Sequence, residues 1–245
     1  MKYSNKKIVI LEKNSVTPAG DISLKMIENL GDVTIYDSVP AGKLEDVVKD
    51  AEAVICSKAK FTESVLENCP KLKYIGLWAT GYDNINVCAA AEKGITVSNV
   101  PGYSTNSVVQ HTFAMILNLA LNSIKYDKSV HDGDWKKAPI FTYLDFPIME
   151  ISGKNLGILG YGAIGKAVAK IGEAFGMQPI IHTRTKPENC SYPVVSLDEL
   201  LAEADFLTLH CPLTDATRKI INKETLSKMK KTAYVINTSR GGTID

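Results

Sequence analysis

The sequence predicts an α/β protein with two lobes, each built on a parallel β-sheet. Short apolar segments alternate with stretches of helical periodicity, which is the pattern of repeated β-α-β units. A chain of 245 residues is also more often divided into two compact lobes than folded as one. Residues 99–107 interrupt the alternation with proline, glycine and several helix-capping residues. We therefore expect one lobe at residues 1–100 and a second at residues 101–245.

The first lobe contains five predicted strands separated by helical stretches. The strands are the apolar segments at residues 8–11, 33–36, 53–56, 74–77 and 95–98. Strands joined in this way pair in parallel, because a helical crossover returns the chain to the same end of the sheet. After the interruption, the capping residues 104–107 precede a long apolar helix that is expected to reach about Lys128.

The second lobe contains four predicted strands, again separated by helical stretches. They are the segments at residues 155–159, 179–182, 206–210 and 233–237. A dinucleotide-binding sheet in the order 3-2-1-4-5-6 would still need its fifth and sixth strands. The segment at residues 131–147 is rich in aspartate, aromatic and proline residues, so we expect it to be irregular and to pack on another lobe or subunit.

The amino-acid composition argues against several classes of protein. With 45% hydrophobic residues, 22% charged residues and a net charge of +1, the chain is not suited to a nucleic-acid partner. The first apolar run is too short for a signal peptide, and residues 108–121 carry too many polar side chains for a membrane span. The five cysteines are scattered without CxxC spacing, which favours neither disulfides nor a metal site. A reducing cytoplasm is the expected location.

Residues 160–165, GYGAIG, form a GxGxxG motif between a predicted strand and a predicted helix. In a dinucleotide site the first glycine, Gly160, allows a tight turn, and Gly162 lets the backbone approach a pyrophosphate. The third, Gly165, allows the helix to pack closely on the strand, and the helix N-terminus faces the anion. A tight turn without a ligand is the alternative, but the flanking strand and helix favour cofactor binding.

The residues after the next strand indicate which dinucleotide is bound. An NAD site usually places an acidic residue there, against the ribose 2′-hydroxyl, but this sequence has Thr183 at that position. Arg184, His182 and Lys186 could instead pair with a 2′-phosphate. The pattern favours NADP over NAD. A solvated basic loop is the alternative, and use of both cofactors stays open.

Several longer motifs carry a resemblance to a known family. They are ATGYDNINV (79–87), NVPGYSTNSVVQHTFAMIL (99–117), GKNLGILGYGAIGKAVAKIGEAFGM (153–177), LTLHCPLTDATRKIIN (207–222) and INTSRGGTID (236–245). From end to end, the chain resembles the D-isomer-specific 2-hydroxyacid dehydrogenases. Residues 109–113 and 141–149 are most similar to bacterial glycerate dehydrogenases, also called hydroxypyruvate reductases. The resemblance implies a flavodoxin-like substrate lobe followed by a Rossmann dinucleotide-binding lobe, and a homodimer formed through the second lobe.

The resemblance also implies roles for individual residues. The backbone of Ala79, Thr80 and Gly81 would bind the carboxylate of a small 2-keto or 2-hydroxy acid, with Thr80 also near the nicotinamide. Arg240 would be the catalytic arginine and would also contact substrate and cofactor. The remaining cofactor contacts implied in the second lobe are Ala163 and Ile164 at the pyrophosphate, Cys211 and Pro212 along the cofactor, and Thr238 and Ser239 at the nicotinamide.

The chemistry of keto-acid reduction supports Arg240 independently. A guanidinium can hold a carboxylate and polarise a carbonyl through paired, charge-assisted hydrogen bonds. Arg240 also follows the carboxyl end of a predicted strand, where open α/β sheets bind their ligands. A surface arginine in a turn is the alternative interpretation.

None of the four histidines matches the position of the family's proton donor. The resemblance places His210 beside the adenosine half of the cofactor or the wall of the cleft. His111 lies within the long predicted helix and His131 in the segment predicted to be irregular, and neither has an evident partner, so structural roles are favoured for both. The family's histidine and glutamate pair would follow Asp245. A chain that ended there would be expected to keep some fold and weak cofactor binding but to reduce hydroxypyruvate poorly.

A second hypothesis belongs to another functional class. Relatives of the family include corepressors that bind NAD(H), so the chain could be a dinucleotide sensor that acts through a partner protein. The basic residues 228–231 would then be a contact patch, although a solvated helix end explains them as well. The motifs for substrate and cofactor favour the enzyme.

Overall fold

The computed structural model describes residues 5–40, 42–185 and 187–245. The chain divides into two compact units, Met1–Tyr103 and Ser104–Asp245, which we call the N-terminal and C-terminal units. Both units are α/β structures with parallel sheets, as the sequence predicts. In the part of the chain that the structure describes, none of the helices combines the length and apolar character needed to cross a bilayer.

The N-terminal unit is built on a five-stranded parallel sheet in the order β2-β1-β3-β4-β5, which is the flavodoxin-like order. The strands are β1 Lys7–Ile10, β2 Asp32–Ile35, β3 Ala53–Cys56, β4 Tyr74–Leu77 and β5 Thr96–Ser98. The helices are α1 Lys25–Glu28, α2 Leu44–Val48, α3 Glu63–Glu67 and α4 Val87–Glu92, with a 3-10 turn at Lys13–Ser15. All five predicted strands are present.

The core of this unit lies around the central strands. Val54 and Ile75, on β3 and β4, are completely buried. The helices begin where the sequence supplies capping side chains: Thr62 accepts a hydrogen bond from the Val65 N–H at the start of α3. Apolar strands of this kind, covered by helices, leave the carboxyl ends of the strands as the accessible edge for binding.

The C-terminal unit is built on a four-stranded parallel sheet in the order β7-β6-β8-β9. The strands are β6 Asn155–Leu159, β7 Gln178–His182, β8 Phe206–Leu209 and β9 Tyr234–Asn237. The helices are α5 Thr105–Leu121, α6 Ser123–His131, α7 Asp134–Lys137, α8 Ala163–Ala174, α9 Leu197–Glu203 and α10 Lys223–Ser227, with a 3-10 turn at Gly241–Thr243. Every residue of β8 is buried.

The strand order corrects one sequence-based prediction. Val194 forms an isolated parallel bridge with Ile181 on β7, on the side of β7 away from β6. This bridge occupies the place of strand 3 in the order 3-2-1-4-5-6, so β8 and β9 occupy the places of strands 4 and 5. The prediction that β9 is the fourth strand was therefore wrong. A single bridged residue has no apolar run of its own, so the sequence pattern did not show it.

The long helix also differs from its prediction. Asn122 has φ 50° and ends α5, and a second helix, α6, begins at Ser123. The Asn118 side chain accepts a hydrogen bond from the Ile124 N–H, which supports the break. The segment predicted to be irregular contains the short helix α7 and folds back on α6, where the Tyr126 hydroxyl donates to the Phe146 carbonyl at 2.8 Å.

Candidate functional site

The glycine-rich loop joins β6 to α8 in a conformation that requires its first and third glycines. Gly160 has φ 101°, and a Cβ there would lie 2.7 Å from the backbone nitrogen of Cys211. A Cβ on Gly165 would lie 2.1 Å from the Gly160 carbonyl oxygen. Both positions therefore need glycine to let the loop, the helix and the neighbouring strand end pack together.

Gly162 needs to be small for a different reason. Apart from the two neighbouring residues in the chain, none of the described residues has an atom within 4 Å of the position that its Cβ would take, although its φ of −80° would accept a side chain. The first helical hydrogen bond of α8 runs from the Lys166 N–H to the Gly162 carbonyl, and none of the described residues accepts from the N–H groups of Ala163, Ile164 or Gly165. The open space and the unpaired N–H groups at a helix N-terminus fit a dinucleotide pyrophosphate.

The end of β7 carries the residues predicted to select the cofactor. Thr183 is half-buried and Arg184 is exposed. His182 is less suited to a phosphate than the sequence suggested, because its Nδ1 atom is 3.0 Å from the Val195 carbonyl oxygen, which occupies one ring nitrogen. Lys186 lies outside the described residues. Arg184 is therefore the basic side chain in the described structure that is best placed to meet a 2′-phosphate.

The ends of β8 and β9 complete this edge of the sheet. Cys211 is buried and its backbone contacts Gly160, which fixes the spacing between the glycine-rich loop and the end of β8. The next residue, Pro212, is exposed, and its carbonyl accepts a hydrogen bond from the Thr217 hydroxyl at 2.6 Å. The predicted cofactor contacts of the C-terminal unit thus all follow the carboxyl ends of neighbouring parallel strands.

Arg240 lies in a turn that is held by two residues the sequence analysis did not select. The Asn237 Oδ1 atom accepts hydrogen bonds from the N–H and hydroxyl of Ser239 at 2.9 and 2.8 Å, and the Asn237 Nδ2 atom donates to the Arg240 carbonyl. The buried Thr243 hydroxyl donates to the same carbonyl at 2.7 Å. The Asn-x-Ser spacing of an Asx turn was the available signal. The backbone of Arg240 is fixed while its side chain is exposed.

His210 follows β8 beside this turn and is half-buried. Its Nδ1 atom lies 3.3 Å from the Thr238 hydroxyl oxygen, and its Nε2 atom is inaccessible and has no hydrogen-bond partner among the described residues. Desolvation lowers the pKa of His210 from 6.5 to about 4. The ring is therefore neutral near pH 7.

The residues predicted to bind substrate follow β4 in the N-terminal unit. The Thr80 hydroxyl donates to the Val100 carbonyl at 3.0 Å, and the Val100 N–H donates to the Ala79 carbonyl at 3.0 Å. Asn99 donates to the Thr80 carbonyl at 2.7 Å. Within the described chain, nothing accepts a hydrogen bond from the N–H groups of Thr80 and Gly81. The loop is thus fixed through its carbonyls and presents donors that suit a carboxylate.

Comparison with known proteins agrees with this geometry. A family model described as D-isomer specific 2-hydroxyacid dehydrogenase, NAD binding domain, matches residues 113–245. A hydroxypyruvate reductase of Blautia hydrogenotrophica is 40% identical over 243 residues, which cover 96% of this chain and 74% of that protein. The chain belongs to the D-isomer specific 2-hydroxyacid dehydrogenases.

Two solved structures of related enzymes resemble the whole chain. A D-lactate dehydrogenase from Aquifex aeolicus, in complex with NAD and lactic acid, has a TM-score of 0.83 and 33% identity. The match covers 98% of this chain and 71% of the dehydrogenase chain. An acyclic imino acid reductase in complex with NADPH and D-Arg has a TM-score of 0.85 and 30% identity. The match covers 98% of this chain and 76% of the reductase chain. This family member is an NAD(P)-linked oxidoreductase that acts on the CH–OH group of 2-hydroxyacids.

Proposed function

We propose that the protein reduces hydroxypyruvate to D-glycerate, with NADP as the preferred cofactor. The observation that carries the assignment to a dinucleotide enzyme is the open space at Gly162, together with the unpaired N–H groups at the start of α8. The substrate is proposed from the hydroxypyruvate reductase that is 40% identical to the chain. Bound NADPH would supply hydride to the keto carbon, and the keto oxygen would take up a proton, which gives D-glycerate and NADP⁺.

We assign substrate binding to four residues. The backbone N–H groups of Ala79, Thr80 and Gly81 bind the carboxylate, and Arg240 acts as the catalytic arginine that holds the carboxylate and polarises the keto group. The Asn237 and Thr243 hydrogen bonds support this role for Arg240, because they fix its backbone while the residue remains exposed. The sensor hypothesis gains no support from the related proteins, which are named as enzymes.

The cofactor contacts in the C-terminal unit are assigned to residues that follow the carboxyl ends of β6, β7, β8 and β9. The pyrophosphate is assigned to the N–H groups of Ala163 and Ile164 and the space above Gly162, and the adenosine end to Thr183 and Arg184. The wall of the cofactor site is assigned to Cys211 and Pro212, and the nicotinamide end to Thr238, Ser239 and Arg240. Thr183 carries no charge to repel a 2′-phosphate, and exposed Arg184 can pair with one, which favours NADP.

We also propose that the protein is a cytoplasmic homodimer. The five cysteines are all unpaired, which agrees with a reducing compartment. Large apolar side chains are exposed around α7 in the C-terminal unit, including Trp135, Ile140, Phe141 and Leu144. A cluster of this kind suits contact with a second copy of the chain.

The substrate assignment is tested by steady-state reduction of hydroxypyruvate, glyoxylate and pyruvate with NADPH and with NADH. The readout is the order of the kcat/KM values, which does not depend on the absolute rate. Hydroxypyruvate with NADPH should give the highest kcat/KM, because the contacts in the pocket stabilise the transition state of the correct substrate most strongly. A higher value for either of the other acids would contradict the proposed substrate.

The cofactor preference is tested with the Arg184→Ala variant. Loss of a charge-assisted pair with the 2′-phosphate should raise the Kd for NADPH about tenfold and leave the Kd for NADH within about twofold. Lys170→Ala, which removes a cation from the body of α8, is the matched control and should change neither constant. A wild-type protein that binds NADH more tightly than NADPH would refute the assignment.

A further inference from the structure

His210, Thr238 and Thr112 join three elements of the C-terminal unit through their side chains. Thr112 lies on α5, Thr238 follows β9, and His210 follows β8. The Thr238 hydroxyl oxygen is 3.4 Å from the Thr112 hydroxyl oxygen and 3.3 Å from the His210 Nδ1 atom. Thr112 is completely buried, and its hydroxyl donates to the Val108 carbonyl at 2.8 Å. The three side chains therefore form one chain of polar contacts that ends at Thr238 and the turn before Arg240.

The direction of each hydrogen bond in this chain follows from the single proton of each hydroxyl. The Thr112 proton is used at the Val108 carbonyl, so the Thr112 oxygen can only accept from Thr238. Thr238 then has no proton left for the ring, so it accepts from the His210 Nδ1–H. The neutral ring carries its single proton on Nδ1, and its Nε2 atom is an acceptor without a partner in the described structure.

We propose that His210 is a positioning residue that fixes Thr238, and with it the Thr238–Ser239–Arg240 turn, for the nicotinamide end of the cofactor. The proposal rests on the dinucleotide function proposed above. A buried ring nitrogen without a partner costs stability, and the one hydrogen bond of the His210 ring in the described structure is the bond to Thr238. Because Nε2 is inaccessible, the ring acts through Thr238 and not by direct contact with the ligand.

The two ring nitrogens can be separated by substitution. In His210→Asn, the side-chain amide nitrogen stands near the position of Nδ1 and keeps a donor toward Thr238. In His210→Gln, the amide reaches the position of Nε2 and leaves Thr238 without its donor. His210→Phe keeps the ring shape and removes both nitrogens, and Thr112→Val removes the acceptor at the other end of the chain.

The test measures Kd values by calorimetry for NADPH and for 2′-phospho-ADP-ribose, which has the same adenosine and pyrophosphate groups but no nicotinamide. Loss of one positioning hydrogen bond should weaken NADPH binding about tenfold in His210→Gln and His210→Phe. His210→Asn should stay within about threefold of wild type, and Thr112→Val should weaken NADPH binding in the same direction as His210→Phe. The nicotinamide-free fragment should bind all variants within about twofold, which a general loss of structure would not allow.

Two results would overturn the inference. If His210→Gln binds NADPH as wild type does while His210→Asn is weakened, the Nε2 atom contacts the ligand directly. If all four variants bind NADPH like wild type, the side-chain contacts do not position the turn. Failure of the proposed function itself is distinct, because the wild-type protein would then bind neither NADPH nor the fragment.

Discussion

His210 couples the stability of the C-terminal unit to pH. Its pKa is lowered from 6.5 to about 4 by burial, so an unfolded chain takes up the proton below about pH 6.5 while the folded chain does not. The unfolded state binds more protons between these two values, and stability therefore falls as the pH falls through this window. At pH 4 the loss would be on the order of 2–3 kcal/mol.

The prediction is tested by urea unfolding of wild type and His210→Asn at pH 7.5 and pH 4.5. Wild type should lose more unfolding free energy than the variant between the two pH values, because asparagine has no proton to gain. Other titrating groups are shared by the two proteins and cancel in the comparison. Equal losses in both proteins would show that His210 titrates normally in the folded state.

Single residues were predictable from the sequence where a motif defines them. The three glycines of the loop have the conformations and contacts that the motif requires, and Arg240 follows the end of β9. His210 was not recognised as part of a polar chain, because its partner Thr238 follows another strand and the chain continues to Thr112 on α5, 126 residues from Thr238. Contacts of such separation depend on how helices pack on strands, which a local pattern does not encode.

At the scale of elements, the β6–loop–α8 unit depends on the close approach of α8 to β6. A methyl group at Gly165 would meet the Gly160 carbonyl at 2.1 Å, and that carbonyl is backbone that cannot rotate away. Gly165→Ala should therefore lower the free energy of unfolding by about 2 kcal/mol, the typical cost of overpacking. Thermal and urea unfolding measure the change. Gly162→Ala is the control and should unfold like wild type, since its methyl group lies more than 4 Å from the described residues beyond its chain neighbours. Equal stability of both variants would contradict the close packing at Gly165.

The positions of the strands in the sequence could be predicted better than the order of the strands in the sheet. Apolar runs identify all nine strands, but the bridge at Val194, which defines the sheet order, is a single residue. Likewise, the apolar periodicity of residues 105–128 predicts one helix, while Asn122 breaks it through a left-handed backbone conformation and side-chain hydrogen bonds. Asparagine tolerates that conformation better than most residues, but an asparagine within a helical pattern does not by itself mark the end of a helix, so the break was not predicted.

For the whole molecule, the exposed apolar side chains around α7 predict an oligomer. Phe141 is 89% exposed in the single chain. Phe141→Glu should convert the dimer into a monomer, or weaken the dimer at least about tenfold, because it places a charge in an apolar contact. Light scattering after size-exclusion chromatography measures the mass. Met26→Glu changes a side chain that is equally exposed, at 85%, in the N-terminal unit and should leave the dimer intact. A monomeric wild-type protein would refute the proposed dimer.

We propose that the C-terminal unit binds a dinucleotide through the open space above Gly162. The most direct measurement is the Kd for NADPH and NADH, by isothermal titration calorimetry, of the wild-type protein and of Gly162→Ala. We expect wild type to bind and the variant to bind at least about tenfold more weakly at unchanged melting temperature, because the added methyl group occupies space needed by the pyrophosphate. Absence of binding by wild type, or equal affinities of the two proteins, would contradict dinucleotide binding at Gly162.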